Sequence, residues 1–495
     1  MFRLNLTVSR WIALGGICLY LCFLSACANS RSSSPTLQAT PEKLSTTEIK
    51  VLPPQSTKTP KPLPATEAVP TVEKTVNLRG QLVQFWYVRE TGAEELMPKL
   101  IEEFNKTNQW GIRAEAVPYD STGVMDEALQ RALKEKKLPA VLAGYSHDLR
   151  YWHSTGISLA DLQSYIDDPT WGLSASDQQD FYPAIWMQDV QTPTEENKDT
   201  LRFGLPWYRT GMVMLYNQSW AKDLGFNAPP TTPAQFRQQA CAAAKANRED
   251  DEKENDATGG WLIDSEPSTL LSWIFAFGGE VEKSGQGGYE FENDETIDTL
   301  TFIHELYTEG CAWRQDETDK NEILTNRGAL FLSASLRELV SQQTLLKSRS
   351  NGDQWTILPF PSRKGGAFDI FGPSLAVMNS TSTKQSAAWL FVRWLASPEN
   401  QARWVLATET LPTRASVLPL LSGKFKGSSL WEKALGFLPY IHIEPALASW
   451  RSLRWALGDV MSQLTAPEFK GEQISALLKA LDQLAEEVQA QEGKK

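Results

Sequence analysis

The alternation of strand-like and helix-like segments between Gln81 and Ala143 limits the fold more than any other feature of the chain. Gln81-Leu-Val-Gln-Phe-Trp-Tyr-Val88 has the β-branched and aromatic content of a strand. In the Glu-rich stretch that follows, Leu96, Leu100, Ile101 and Phe104 recur at helical spacing. Gly111 to Tyr119 reads as a second strand, Val124, Met125, Ala128, Leu129, Ala132 and Leu133 mark a second helix, and Pro139 to Ala143 is a short buried strand. A β-α-β-α-β order implies an α/β fold with a parallel sheet covered by helices, and ligands are expected at the carboxyl ends of its strands. Glu90 and Thr91 lie just past the first strand, and Tyr145 and Ser146 just past the third.

Later segments keep this style. Thr231-Thr-Pro-Ala-Gln-Phe236 supplies a capping threonine and an early proline for a helix running to about Ala246, with a charged loop from Asn247 to Asp256. Pro267 to Phe277 is an apolar helix stopped by Gly278-Gly279, and Asn293 caps another through Glu309. Leu375 to Met378 is a strand, Thr383 caps a helix through Ala396, Ser397-Pro398 opens a further helix, and Ile474 to Gln491 is amphipathic. No fixed-period repeat is visible.

The first residues read as an address. Arg3 and Arg10 precede an apolar stretch from Trp11 to Leu24 that ends in Leu24-Ser25-Ala26-Cys27, the pattern of a secretory signal over 1–26. From Ala28 to about Leu78 there are eight prolines, fifteen serines or threonines and no aromatic residue. Such a segment cannot bury enough apolar area to offset its ordering entropy, so 27–79 is expected to be a disordered tether. Outside these segments only Cys241 and Cys311 remain. Two arrangements are open for them, a disulfide permitted by an oxidising compartment or two buried free thiols.

The net charge of −12 becomes −14 once Arg3 and Arg10 are removed with the leader, which speaks against nucleic acid as a partner. The sequence shows no Gly-x-Ser-x-Gly elbow, no His-Glu-x-x-His and no phosphate-binding loop. Its four histidines, of which His147 and His153 flank a short helical stretch, make a multi-histidine metal site hard to assemble. No cofactor, no metal and no catalytic residue is expected. A glycoside hydrolase, which needs two carboxyls flanking the scissile bond, is the enzyme alternative.

Several motifs taken in order resemble family 1 extracellular solute-binding proteins of bacterial ABC transporters, the maltose-, oligosaccharide- and glycerol-phosphate-binding type. They are Phe85-Trp-Tyr87 with Glu103-Phe104-Asn105, Gly204-Leu-Pro-Trp207 leading to Leu215-Tyr-Asn217, and Leu224-Gly-Phe-Asn-Ala-Pro-Pro230. Phe277-Gly-Gly-Glu280, Phe371-Gly-Pro-Ser-Leu-Ala-Val377, Ala387 to Trp394 and Leu411-Pro-Thr-Arg414 continue the series. Leu24-Ser-Ala-Cys27 resembles a lipobox, which implies acylation of Cys27 and anchoring at the outer face of a membrane. The resemblance implies a two-lobe periplasmic-binding-protein fold of class II type with discontinuous chain crossings. Lobe one would be 80–208 and 368–415 and lobe two 212–365 and 416–495, with crossings near Arg209-Thr-Gly211 and Gly366 to Pro373. It further implies a monomer that captures a small solute, most plausibly a carbohydrate, and hands it to permease subunits. A sugar-binding surface receptor without a transporter is the other alternative.

The 18 tryptophans exceed the about 6 or 7 of an average chain of this size. Trp389, Trp394, Trp404, Trp261 and Trp355 sit in apolar surroundings and are expected to pack in cores. Trp86, Tyr87, Trp207, Tyr208 and Trp273 are either core or ligand contacts. The resemblance singles out Trp450, placed where sugar-binding members carry a stacking tryptophan, with Arg451 or Arg454 as donors. It also implies polar contacts from Glu266 and Ser268; Glu90 and Tyr145, past the strand ends, and Gly372, at a crossing, complete the expected contacts. Thr210 stands where maltose binders place a carboxylate, which argues against maltose itself. Phe331 to Ser335 with Arg337 is similar to a segment of glycerol-phosphate binders, but no basic cluster accompanies it.

Overall fold

The computed structural model describes residues 77–191, 200–283, 287–314, 323, 326–339, 352–424 and 430–492. The expected leader, Cys27 and nearly all of the expected tether lie outside the described residues. In chain order the strands are β1 (Leu82–Val88), β2 (Arg113–Tyr119), β3 (Val141–Gly144), β4 (Val190–Gln191), β5 (Leu201–Arg202), β6 (Leu205–Pro206) and β7 (Thr210–Asn217). They continue as β8 (Trp261–Leu262), β9 (Ala312–Trp313), β10 (Phe331–Ser335), β11 (Trp355–Leu358), β12 (Phe368–Phe371), β13 (Ser374–Val377) and β14 (Ile441–Ile443).

The β-α-β-α-β run builds the first sheet, in the order β2-β1-β3-β13-β6. β1 pairs in parallel with β2 and β3, and β13 joins β3 in the antiparallel sense. Alternation along β1 sends Val83, Phe85 and Tyr87 into one core and Trp86 into the core on the other face. The helices Leu96–Thr107 and Thr122–Glu135 make the two crossovers that parallel pairing requires.

The second sheet runs β14-β12-β7-β10-β8-β9, with β11 added on β7. All eight residues of β7 are buried. Met212, Met214 and Tyr216 enter one core, and Val213 and Leu215 the opposite one. Sequence expectation placed 368 onward with lobe one. β12 instead pairs with β7 and β14, because Phe368 and Ile370 fill the core shared with Val213 and Leu215. The return to the first sheet falls at Gly372-Pro373.

The local signals act as expected at most helix ends. Thr232, Asn293 and Ser397 accept hydrogen bonds from the backbone N–H groups of Gln235, Thr296 and Asn400, and Gly278 takes the left-handed conformation after Pro267–Phe277. Thr383 is not a cap: it lies inside the helix Ser382–Leu395, whose N-cap is Thr381. Among the described residues no helix is long and apolar enough to cross a membrane.

Cys241, on the helix Pro233–Glu249, is joined to Cys311 as a disulfide spanning a sequence separation of 70. A cross-link closing a loop of that length restricts the unfolded chain by about 4 kcal/mol in the chain-entropy treatment. The double variant Cys241→Ser/Cys311→Ser is therefore expected to unfold at clearly lower denaturant concentration than the oxidised parent. Equal midpoints, or two free thiols in the unreduced protein, would refute the cross-link.

Candidate ligand cleft

Two adjacent crossings connect the sheets. Trp207-Tyr-Arg209 carries the chain from β6 to β7, and Gly372-Pro373 carries it from β12 back to β13. Arg209 is fully buried and ties them together. Its guanidinium donates to the carbonyls of Tyr208 and Pro373, both at 2.9 Å, to Gln188 Oε1 and to Ser374 Oγ. Gly372 is required here, since a Cβ at that position would lie 2.5 Å from the Tyr208 carbonyl oxygen. Leu411 runs alongside, exchanging backbone hydrogen bonds with Arg209.

Above these crossings the carboxyl ends of β1 and β3 face residues of the second sheet. Val88, Gly144, Tyr145, Trp207, Tyr208 and Arg337 line a cavity of about 40 Å³. That holds a few waters, against roughly 300–1,000 Å³ for ordinary ligand pockets. The space as it stands does not admit a solute of sugar size.

Charged side chains from both lobes close around it. Arg337, beyond β10, donates from Nε to Glu90 Oε1 at 2.7 Å and from Nη2 to Glu90 Oε2, while the Tyr208 hydroxyl donates to the same carboxylate at 2.9 Å. Burial opposes the charge on Arg337, but the hydrogen bonds to Glu90 together with the electrostatic pull of Tyr145, Tyr208 and Glu90 outweigh it and hold the guanidinium above its ordinary pKa. On the other flank Arg451 reaches from the helix Trp450–Leu453 to Asp126 and, with Nε at 3.0 Å, to Asp148. Burial pushes the Asp148 carboxyl up to about 7.

Within lobe two, Glu444 Oε1 accepts from Ser268 Oγ at 2.6 Å, and Oε2 accepts from Trp450 Nε1 at 2.9 Å. Arg454 donates to Ser268 Oγ at 2.9 Å and lies 3.6 Å from Glu266. Asp369 is fully buried on β12 with neither carboxylate oxygen hydrogen-bonded, and burial and the nearby Glu444 push its pKa well above the ordinary carboxylate range. Tyr145 lies at the centre, its ring 5.4 Å from His147 and 6.4 Å from Phe371.

The structure brings Glu90, Tyr145, Trp207, Tyr208, Ser268, Arg451 and Glu266 to this layer and separates other expected contacts from it. Trp273 is a core residue, fully buried among Phe236, Trp261, Phe302 and Phe360. Trp450 offers no free face, because its indole packs against Tyr289 and its N–H serves Glu444. Trp207 is fully buried against Trp404 and Phe85, forming the cavity floor. Tyr87 stacks on Phe85 in the core, and Trp86 packs with Tyr119 on the other face of β1. Sequence reasoning missed Glu444, Asp126, Asp148 and Asp369, which no local motif marks.

His147, which the sequence places beside a short helical stretch, is buried in the first turn of the helix Ser146–Ser154. Burial, with Arg454 and Arg150 nearby, pushes its pKa from 6.5 down to about 3. Between those values the unfolded chain binds the extra proton, so this contribution to stability is complete above about pH 6.5 and is lost as pH falls toward 3. The group is expected to cost about 2 kcal/mol of stability between pH 7 and pH 5. His147→Gln should flatten that part of the melting-temperature profile, and superimposable profiles would contradict the assignment.

A family model described as bacterial extracellular solute-binding protein matches residues 99–432. No curated protein matches the chain in sequence. Among solved structures, the sugar-binding protein MalE from Xanthomonas citri superposes with a TM-score of 0.67 at 21% identity, covering 83% of this chain and 98% of that one. The cyclic α-maltosyl-1,6-maltose binding protein from Arthrobacter globiformis gives 0.65 at 16% identity, covering 82% and 98%. UgpB from Mycobacterium tuberculosis, in complex with glycerophosphocholine, gives 0.61 at 14% identity, covering 83% and 99%. These likenesses give the fold, two lobes of the periplasmic-binding kind, and the family match gives the kinship: the chain belongs to the bacterial extracellular solute-binding proteins.

Proposed function

We propose that this protein is tethered to the outer face of a membrane through acylated Cys27, captures a sugar or oligosaccharide between its lobes as a monomer, and delivers it to the permease subunits of an ABC importer. Lobe one then comprises 80–208 and 373–415, and lobe two 209–372 and 416–495. The observation that carries the ligand class is the layer of carboxylates and guanidinia from both lobes around the Tyr145 and Phe371 rings. Sugar hydroxyls both donate and accept, and so pair with either kind of group, while the C–H face of a pyranose lies well on an aromatic ring. Glu90, Asp126, Asp148, Glu266 and Glu444 stand against Arg337, Arg451 and Arg454, and this carboxylate excess opposes a phosphorylated solute. The sugar-binding names of the similar structures support the same class.

A thermal-shift screen over monosaccharides, oligosaccharides, polyols and glycerol phosphates tests this, because a ligand bound to the native state alone raises its melting temperature. A sugar is expected to give the largest rise and glycerol phosphate none. Arg337→Ala should weaken the bound sugar at least tenfold, about 1.4 kcal/mol. Cleavage of an oligosaccharide into products would overturn the reading in favour of a hydrolase. For the anchor, Cys27→Ala should move the protein from the membrane to the soluble fraction on cell lysis. Retention of the variant in the membrane would show that acylation is not what holds it.

A further inference from the structure

Trp455 is 59% exposed, the one exposed tryptophan among the described residues. An indole left in water forgoes the burial that every other described tryptophan gains at least in part, so its position calls for a reason. The helix Trp450–Leu453 runs through Arg454, whose φ of −53° and ψ of −33° are helical, into the helix Trp455–Leu464. Residues four apart on a helix share a side, so Trp455 stands one turn, about 6 Å, beyond Arg451 on the side from which Arg451 crosses to Asp126 and Asp148 of lobe one. Its chain neighbour Arg454 bonds Ser268, and the Arg454 guanidinium lies 5.3 Å from the indole centroid. One turn later the helix backbone rests on the loop carrying Glu266, where a Cβ on Gly458 would come 2.6 Å from the Ser265 carbonyl oxygen. The indole is thus held at the rim of the cleft, outside the Arg451 contacts and beside an exposed carboxylate and a guanidinium.

We infer that Trp455 is an outer platform on which a further sugar ring of the solute stacks, so that the protein takes oligosaccharides whose end projects beyond the closed lobes. Glu266 and Arg454 supply hydroxyl partners beside that ring. The inference rests on the sugar reading above and adds a length requirement to it. A single hexose held at Tyr145 does not reach the rim, so Trp455 discriminates by chain length.

Calorimetric titration of the wild-type protein and Trp455→Ala with malto-, isomalto- and cello-oligosaccharides of one to five units tests this. In the series that binds, wild-type affinity should rise with length. The variant should lose at least tenfold against the longest member and nothing against the shortest that binds. Trp455→Phe should recover part of the loss. Unchanged affinity at every length, or an equal loss at every length, would overturn the platform while leaving the sugar reading intact. Failure of the wild-type protein to bind any member would remove both.

Discussion

The buried guanidinium of Arg209 holds the two lobes in register. Two strand crossings pass side by side between the sheets, and a crossing leaves carbonyls that no sheet partner satisfies. Arg209 takes the carbonyls of Tyr208 and Pro373 and reaches Gln188 and Ser374, so both crossings share one set of donors. A buried charge is tolerated when it is hydrogen-bonded in this way. The close approach at Gly372 depends on the same arrangement, because a side chain there would push the two crossings apart.

The cleft places two kinds of interaction in competition. The pairs Glu90 with Arg337 and Asp126 and Asp148 with Arg451 span the lobes and favour the closed arrangement. A solute entering between the lobes would have to replace those partners with its own polar groups. The net gain from such pairs is modest, since desolvation of the charges offsets much of their attraction. This is what a capture device needs: groups that are satisfied in the closed form, yet release to a polar ligand at little net cost.

Parts of this site were legible in the chain. Glu90 and Tyr145 follow strands of a parallel sheet, and the carboxyl ends of such strands converge whatever the rest of the fold does. Arg451 and Ser268 were found through motif resemblance. The tryptophans were sorted less well. Period-2 alternation along β1 sends Trp86 and Tyr87 to opposite faces, both of which are covered by packing, and the helix Pro267–Phe277 is buried along its whole length and has no charged side chain to say which way Trp273 points. Trp450 is enclosed by Tyr289, 161 residues earlier in the chain, and by Glu444, six residues earlier, and no spacing rule announces either partner. Trp455, next to a polar cluster and exposed, has no local signal that separates it from the buried ones.

By itself, the sequence determined the α/β class, the first sheet's order of strands and helices and most helix ends, because each rests on spacing and capping within a few residues. Tertiary structure decided which sheet receives Phe368–Phe371, the joining of Cys241 to Cys311, and the opposition of Glu90 to Arg337 and of Asp126 and Asp148 to Arg451. Each of these depends on which surfaces meet. That is set by packing between segments tens to hundreds of residues apart, and no periodicity along the chain records it.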